Sequence, residues 1–397
     1  MILGLIKEGK QPSDNRVALS PQQCKWVKEK MNIQILVQSS ATRCFSDEEY
    51  FQHGIAVVDN MNDCDVLLGI KEVPTDMLIP NKQYLFFSHT KKKQPYNKKL
   101  LQTILAKQIT LIDYECLEHA DGQRIIGFGF FAGVVGAHNG IWAYGKRTGL
   151  FSLPRVYHCK DYRALIRYYF GLKLPNIKIV LTGSGRVAQG VIDVMNMMGI
   201  IEVEPEEYLS RNFEYPVYVQ LKGGDLYAHK HLDTYKREHF HENPTEYKSL
   251  FPKYISCTDI LMNGVFWDKD VPRLFEITDV DSQFNITTIA DITDDEHGSV
   301  PINLGDQSIE NPVYGINKTT LTKTAPFLKY SIDLIAVGNL PNELSRDASA
   351  FFGEQLIKYV LGNLTANDND IIERATMTKD GKLTDRYQYL EDWVNEA

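Results

Sequence analysis

Two residues at the ends of short apolar runs carry the sharpest chemical signal in this sequence: Lys71, closing DVLLGIKEV, and His89, closing YLFFSHT. An ammonium polarises a carbonyl oxygen and an imidazole moves protons near neutral pH, so the pair suits work at a carbonyl carbon. Glu72 follows Lys71 and is expected to hold its charge, while Glu8 and Glu115 end the runs ILGLIKE and ITLIDYE. Arg16, in SDNRVALSP, offers a planar guanidinium able to clamp a carboxylate bidentately. Lys91, Lys92 and Lys93 form a basic loop after His89 that would draw a dianion, and Arg124 completes the polar set. Any one of these, taken singly, is as well explained by a solvated surface or a structural ion pair.

A second constellation lies downstream. The apolar run IKIVL leads into Thr182, then Gly183, Ser184, Gly185, Arg186, Val187 and Ala188, which is G-x-G-x-x-A at a strand-to-helix turn. Gly183 permits the tight turn, Gly185 lets a pyrophosphate approach backbone N–H groups, and Ala188 lets helix and strand pack closely. The turn is therefore expected to bind a dinucleotide. Glu204 lies about twenty residues on, at the end of GIIEV, where a carboxylate would bond a ribose 2′-hydroxyl and favour NAD. Arg186 or Arg211 would instead meet a 2′-phosphate, so NAD(H) and NADP(H) both stay open. Asp291 ends ITTIAD and is expected to approach substrate or cofactor from this second region. His229 with His231, and His239 with His241, form two H-x-H pairs, but no cysteine or ordered carboxylate spacing accompanies them, so no metal site is expected.

The elements that must position these groups follow from the pattern. Five apolar runs in the first third, ILGLIKE, QILVQSS, DVLLGIKEV, YLFFSHT and ITLIDYE, alternate with amphipathic stretches and read as an open parallel α/β sheet. Such sheets gather functional groups at the carboxyl ends of their strands. GFGFFAGVVGAHNGIWAYGKRTG reads as a closely packed long helix joining two domains, and a second sheet starts after Pro175 with runs including YVQLKG, DILMNGVFW, ITTIADIT and PVYGIN. LPNELSRDASAFFGEQLIKYVLGNL is an amphipathic helix, with Ser345 as its N-terminal cap, that would pack back on the first domain. The domains are expected at 1–135 plus 335–397 and at 136–334.

Composition narrows the classes. The 397 residues suffice for two domains, and 43% hydrophobic residues can fill packed cores. A formal net charge of -8 provides no positive field for nucleic acid. Six cysteines lie apart without a C-x-x-C pair, as in a reducing compartment, and no apolar run approaches the roughly 18 residues of a membrane span. A cytoplasmic location is expected, with neither nucleic acid nor membrane as partner.

Read together, SDNRVALSP, GIKEVP, FSHTKKKQPYN, LIDYECLE, RIIGFGFFAGVVGA, VLTGSGRVAQG, EVEPEEYL, YISCTDILMNGVFWDKDVPRLF, IADITDDEHGS and GKLTDRYQYL resemble, in order and over nearly the whole chain, the saccharopine dehydrogenase (L-lysine-forming) and lysine-ketoglutarate reductase family within the alanine dehydrogenase superfamily. The nearer likeness is to the reductase domain of α-aminoadipic semialdehyde synthases, and their second, saccharopine-oxidising half is expected to be absent. The resemblance implies two Rossmann-like, doubly wound parallel-sheet domains with the active site in the cleft between them. It implies reversible reductive condensation of L-lysine with 2-oxoglutarate to saccharopine, with Lys71 and His89 as the catalytic pair, Arg16 binding a substrate carboxylate, and Glu72, Lys92, Glu115, Arg124 and Asp291 lining the site. Two other readings remain: an alanine dehydrogenase-like enzyme using free ammonia, and a non-catalytic nucleotide-binding module.

Overall fold

The computed structural model describes residues 1–365 and 370–396 and divides into two compact units, Met1–Phe128 with Ser345–Ala397, and Gly129–Leu344. In the first unit, β1 (Ile2–Leu5), β2 (Gln34–Gln38), β3 (Ala56–Val58), β4 (Val66–Leu68), β5 (Gln83–Phe86) and β6 (Thr110–Asp113) are parallel and lie in the order β6-β5-β4-β1-β2-β3. Strands covered on both faces need continuous apolar runs rather than alternation, which is why Val66, Leu67 and Leu68, or Tyr84, Leu85 and Phe86, are all buried. The helix Pro21–Lys30 that follows β1 starts with a reciprocal capping box between Ser20 and Gln23 and with proline in its first turn.

The second unit holds β7 (Lys178–Thr182), β8 (Ile201–Glu202), β9 (Val217–Leu221), a separate antiparallel hairpin of β10 (Tyr227–His229) and β11 (Tyr247–Ser249), then β12 (Ile260–Asn263), β13 (Thr288–Asp291), β14 (Val313–Asn317), β15 (Lys323–Thr324) and β16 (Ser331–Ile335). Its sheet runs β15-β14-β16-β13-β12-β7-β9-β8. From β8 to β16 the pairing is parallel, while β14 and β15 are antiparallel. The strand order reverses at β7, flanked by β9 and β12, which is where doubly wound sheets bind ligands.

The chain then returns to the first unit with the helix Ser345–Leu356 and with β17 (Thr376–Lys379) and β18 (Lys382–Leu383), antiparallel additions to the β6 edge. Ser345 is the first residue of that helix, and a 3-10 turn over Leu340–Leu344 precedes it. The helix is pinned by Ser349, whose hydroxyl accepts from the Val17 amide, and by the stack of Phe352 on Phe128. Both sheets therefore have the expected parallel core, each with an antiparallel edge that the sequence pattern did not reveal. Among the described residues no helix is long and apolar enough to cross a membrane.

Candidate active site

Parallel pairing brings the carboxyl ends of β1, β4, β5 and β6 side by side, with Leu5 opposite Leu68, Leu68 opposite Leu85 and Phe86 opposite Asp113. Glu8, Lys71 and His89 lie just beyond the ends of β1, β4 and β5, and Glu115 just beyond β6. One rim thus collects the four run ends read from the sequence.

Lys71 is set by its backbone. The two carboxylate oxygens of Glu8 accept separately from the Ile70 amide at 2.7 Å and the Lys71 amide at 2.9 Å. Desolvation at this packed rim pushes the Glu8 carboxyl up to about 8, with the charge of Asp14 adding to it and the two amides opposing. Burial, and then the positive charge of Arg16, lower the Lys71 ammonium below the usual lysine range.

Glu72 is not arranged as expected. Its carboxylate binds the Lys10 ammonium at 2.9 and 2.8 Å, and Asn97 Nδ2 donates to it at 3.4 Å. Desolvation raises the Glu72 carboxyl, and the Lys10 bond, a backbone amide and the charges of His89 and Lys10 together outweigh it and hold it low. Its charge still reaches Lys71 and is itself influenced by His89. Arg16 departs further from expectation. It is 3% exposed, its Nε and Nη2 donate to Asp14 at 2.9 and 2.5 Å, and its guanidinium lies 4.2 Å from the centre of the Phe128 ring. The guanidinium is already paired side-on, and its charge is felt at Lys71.

His89 has a left-handed backbone, φ 52°, which an L-residue adopts only where its surroundings hold it. Its ring stacks on Phe87 with centroids 6.0 Å apart, and Asn97 Nδ2 donates to its carbonyl at 3.5 Å. Nδ1 lies 3.8 Å from Glu115 Oε2, and Arg124 donates to Glu115 Oε1 at 2.9 Å. The neighbouring His89 imidazole, followed by Arg124 after an opposing desolvation, holds the Glu115 carboxyl at about 2. Lys92 is exposed beside this pair and adds to the same lowering, whereas Lys91 is tied to Glu118 at 2.7 Å. Lys10, Asp14 and Asn97 belong to this rim and were missed; Asp14 had a signal, being two residues before Arg16 in an Asx turn whose oxygen accepts the Arg16 amide at 3.0 Å.

In the second unit, Gly183 ends β7 with φ +96°, and a Cβ there would meet the Gly264 carbonyl oxygen at 2.7 Å, so only glycine fits. Gly185 is the N-cap of the helix Arg186–Met197, with no side-chain cap and nothing within 4 Å of an added Cβ. A 12-residue helix with no side-chain cap and open space beside Gly185 fits a dinucleotide pyrophosphate. Ser184 and Gly185 are exposed there, Arg186 and Val187 are half-buried and Ala188 is fully buried against the sheet.

Glu204 does not sit beside this turn. β7 pairs with β9, with Thr182 opposite Leu221, and β8 lies one strand further out. Glu204 is exposed beyond that edge strand, at the N-cap of the short helix Pro205–Ser210. Asp291 ends β13 and is 1% exposed. Its oxygens accept from Asn263 at 2.7 Å, Thr293 at 3.0 Å and Asn303 at 2.8 Å, a network that holds it in the floor of the sheet's end. His229 and His239 face Glu246 at 3.2 and 3.7 Å; among the described residues no group of three or more His, Cys, Asp or Glu is arranged to hold a metal ion.

Residues 4–135 match the family described as alanine dehydrogenase/PNT, N-terminal domain. Over 98% of its length the chain is 28% identical to the mitochondrial α-aminoadipic semialdehyde synthase of Rattus norvegicus, of which the match covers 47%. The chain thus spans about half the length of the synthases it matches. Over 88% of its length it is 25% identical to the saccharopine dehydrogenase (NAD(+), L-lysine-forming) of Yarrowia lipolytica, covering 89% of that protein. Among solved structures, an L-alanine dehydrogenase superposes with a TM-score of 0.68 at 16% identity, covering 99% of this chain and 100% of that one. The transhydrogenase from Sinorhizobium meliloti reaches 0.62 at 13% identity, covering 97% and 99%. The chain shares their two-sheet α/β fold.

Proposed function

We propose that this chain is an NAD(P)-dependent oxidoreductase that condenses the ε-amine of L-lysine with 2-oxoglutarate and reduces the product to saccharopine, reversibly. The observation that carries the reading is Lys71, desolvated and lowered by Arg16, on the same rim as the His89–Glu115 pair. The names of the relatives supply the substrates.

Joining an amine to a 2-oxo acid needs a cation to hold the oxygen as charge builds on it, and a group that exchanges protons during water loss. Lys71 suits the first role, since its ammonium donates to the carbonyl oxygen and its lowered pKa eases proton release to that oxygen. His89 suits the second. Glu115, kept ionised, faces Nδ1, which leaves Nε2 as the ring nitrogen to take the proton from the attacking amine and return it to the departing water. Arg16, paired with Asp14, acts on Lys71 by its charge, and the exposed Lys92 and Arg124 attract the dicarboxylate. The residues Gly183 to Ala188 would hold the dinucleotide, NADP(H) or NAD(H), which when bound supplies or accepts the hydride. Asp291, held by Asn263 and Asn303 at the end of β13, is the second unit's candidate for binding substrate. The net charge of -8 disfavours nucleic acid as a partner, and the six free thiols suit a reducing cytoplasm.

Nicotinamide absorbance tests this with purified protein, each cofactor, and either lysine plus 2-oxoglutarate or ammonia plus pyruvate. Oxidation that requires lysine and 2-oxoglutarate together is expected. Oxidation with ammonia and pyruvate alone would make the chain alanine dehydrogenase-like, and silence in all mixtures would leave a nucleotide-binding module. Lys71→Met should lower turnover by a factor of about 10² to 10³, the usual loss when a positioned donor is removed, with nucleotide binding unchanged.

A further inference from the structure

The strand order moves the expected discriminator of the cofactor. We propose that Lys222, at the carboxyl end of β9, selects a dinucleotide bearing a 2′-phosphate, and that Glu204 takes no part in the choice. This rests on the dinucleotide reading of the glycine turn given above.

When a pyrophosphate lies on the turn after the first strand of a doubly wound sheet, the adenosine ribose extends over the end of the strand hydrogen-bonded beside it. Of the two strands that flank β7, β12 and β9, the one on the side the chain reaches through the helix Arg186–Met197 is β9, whose last residue Leu221 pairs with Thr182 and whose carbonyl accepts the Gly183 amide at 2.9 Å. Two side chains continue the link. Gln220 Nε2 donates to the Gly183 carbonyl at 2.9 Å, and Lys222 Nζ donates to Gln220 Oε1 at 3.3 Å. An exposed ammonium is therefore tied to the glycine turn through a single side chain. Gly223, with φ +51°, and Gly224 follow it, and the chain turns away with the Tyr235 ring packed against this glycine pair, 3.1 Å from where a Gly223 Cβ would lie.

Charges near this corner decide between a hydroxyl and a phosphate. A ribose 2′-hydroxyl is best met by a carboxylate acceptor, whereas a 2′-phosphate needs cations. The carboxylate on this turn is Asp225; its charge bears on the Tyr254 phenol, deeper in the unit, and its amide is bound to the Lys222 carbonyl at 3.0 Å. Glu202, on β8, accepts from Tyr218 at 3.0 Å. Glu204 stands beyond β8, separated from β7 by the whole width of β9.

The test is equilibrium binding to the full chain, measured by calorimetry with NADPH, NADH, 2′,5′-ADP and 5′-AMP, without substrates. The wild type should bind NADPH and 2′,5′-ADP about tenfold or more tightly than NADH and 5′-AMP, the scale of one charge-assisted hydrogen bond. Lys222→Ala should remove that ratio while leaving NADH affinity unchanged, Lys222→Arg should keep it, and Glu204→Gln should not alter it. A wild type that prefers NADH, a ratio untouched by Lys222→Ala, or a ratio shifted by Glu204→Gln would each overturn the assignment. Failure of all four nucleotides to bind would instead overturn the dinucleotide reading beneath it.

Discussion

Glu115 shows how a single carboxylate serves both the site and the stability of the fold. Held at about 2 against an ordinary 4.5, it is ionised in the folded protein at pH values where the unfolded chain has taken up its proton. Its contribution is therefore complete above about pH 4.5 and is lost as pH falls toward 2. Glu115→Gln should cost about 2 to 3 kcal/mol near pH 7 and progressively less on acidification, so thermal melts of variant and wild type should converge in acid. Melting curves that stay parallel across the range would disprove the coupling. The rim residues could be read from sequence because a parallel sheet delivers every strand end to one side, so Glu8, Lys71, His89 and Glu115 needed only their run ends. Lys10 and Asp14 were not readable in that way. They lie in a loop whose course is decided by Glu72 and Arg16, partners that proximity in sequence does not name or, for Arg16, names with the wrong role.

The helices Gly129–Thr148 and Arg186–Met197 meet backbone to backbone. A Cβ on Gly133 would lie 2.0 Å from the Val187 carbonyl oxygen, and one on Gly190 would lie 1.9 Å from that of Phe130. Gly190→Ala must push the helices apart at a cost of about 1 to 3 kcal/mol or more, and it displaces the first turn that follows Gly185. It should lower the melting temperature and weaken nucleotide binding together. Gly185→Ala meets no protein atom and should weaken nucleotide binding while the melting temperature holds; the two variants behaving alike would refute this division. The long helix was evident from its small residues, and the strands buried on both faces from their unbroken apolar runs. β3 was not, being three residues of which one is exposed and two half-buried, nor was the SIDLI of β16, whose Asp333 looks unlike a core residue until Arg147 is found 2.9 Å away. The neighbours of β7 were unreadable for a different reason: adjacency in a sheet is a long-range property, and GIIEV gives no sign that another strand intervenes.

The two units differ in how they are completed. The second is one continuous stretch, and its core draws on residues from Val180 to Ala336. The first has a core that includes Phe352, Leu356, Met377, Tyr387 and Trp393 from the end of the chain, and its β6 edge is covered by β17. Residues 129–344 produced alone should melt cooperatively and bind dinucleotide, whereas residues 1–128 alone should show no cooperative transition. A cooperative melt from the shorter piece would show that the returning segment is dispensable.

That returning segment also sets a timetable. During synthesis the β6 edge and the ring face of Phe87, Tyr114 and Phe128 emerge from the ribosome well before Phe352 and β17 exist to cover them. At the usual elongation rate of about 5 to 20 residues per second, the nascent chain waits on the order of ten to forty seconds with a bare strand edge. Such an edge is a template for pairing with a neighbouring chain on the same polysome. The demand of this protein for chaperones therefore falls on the sheet made earlier, although a segment made later relieves it.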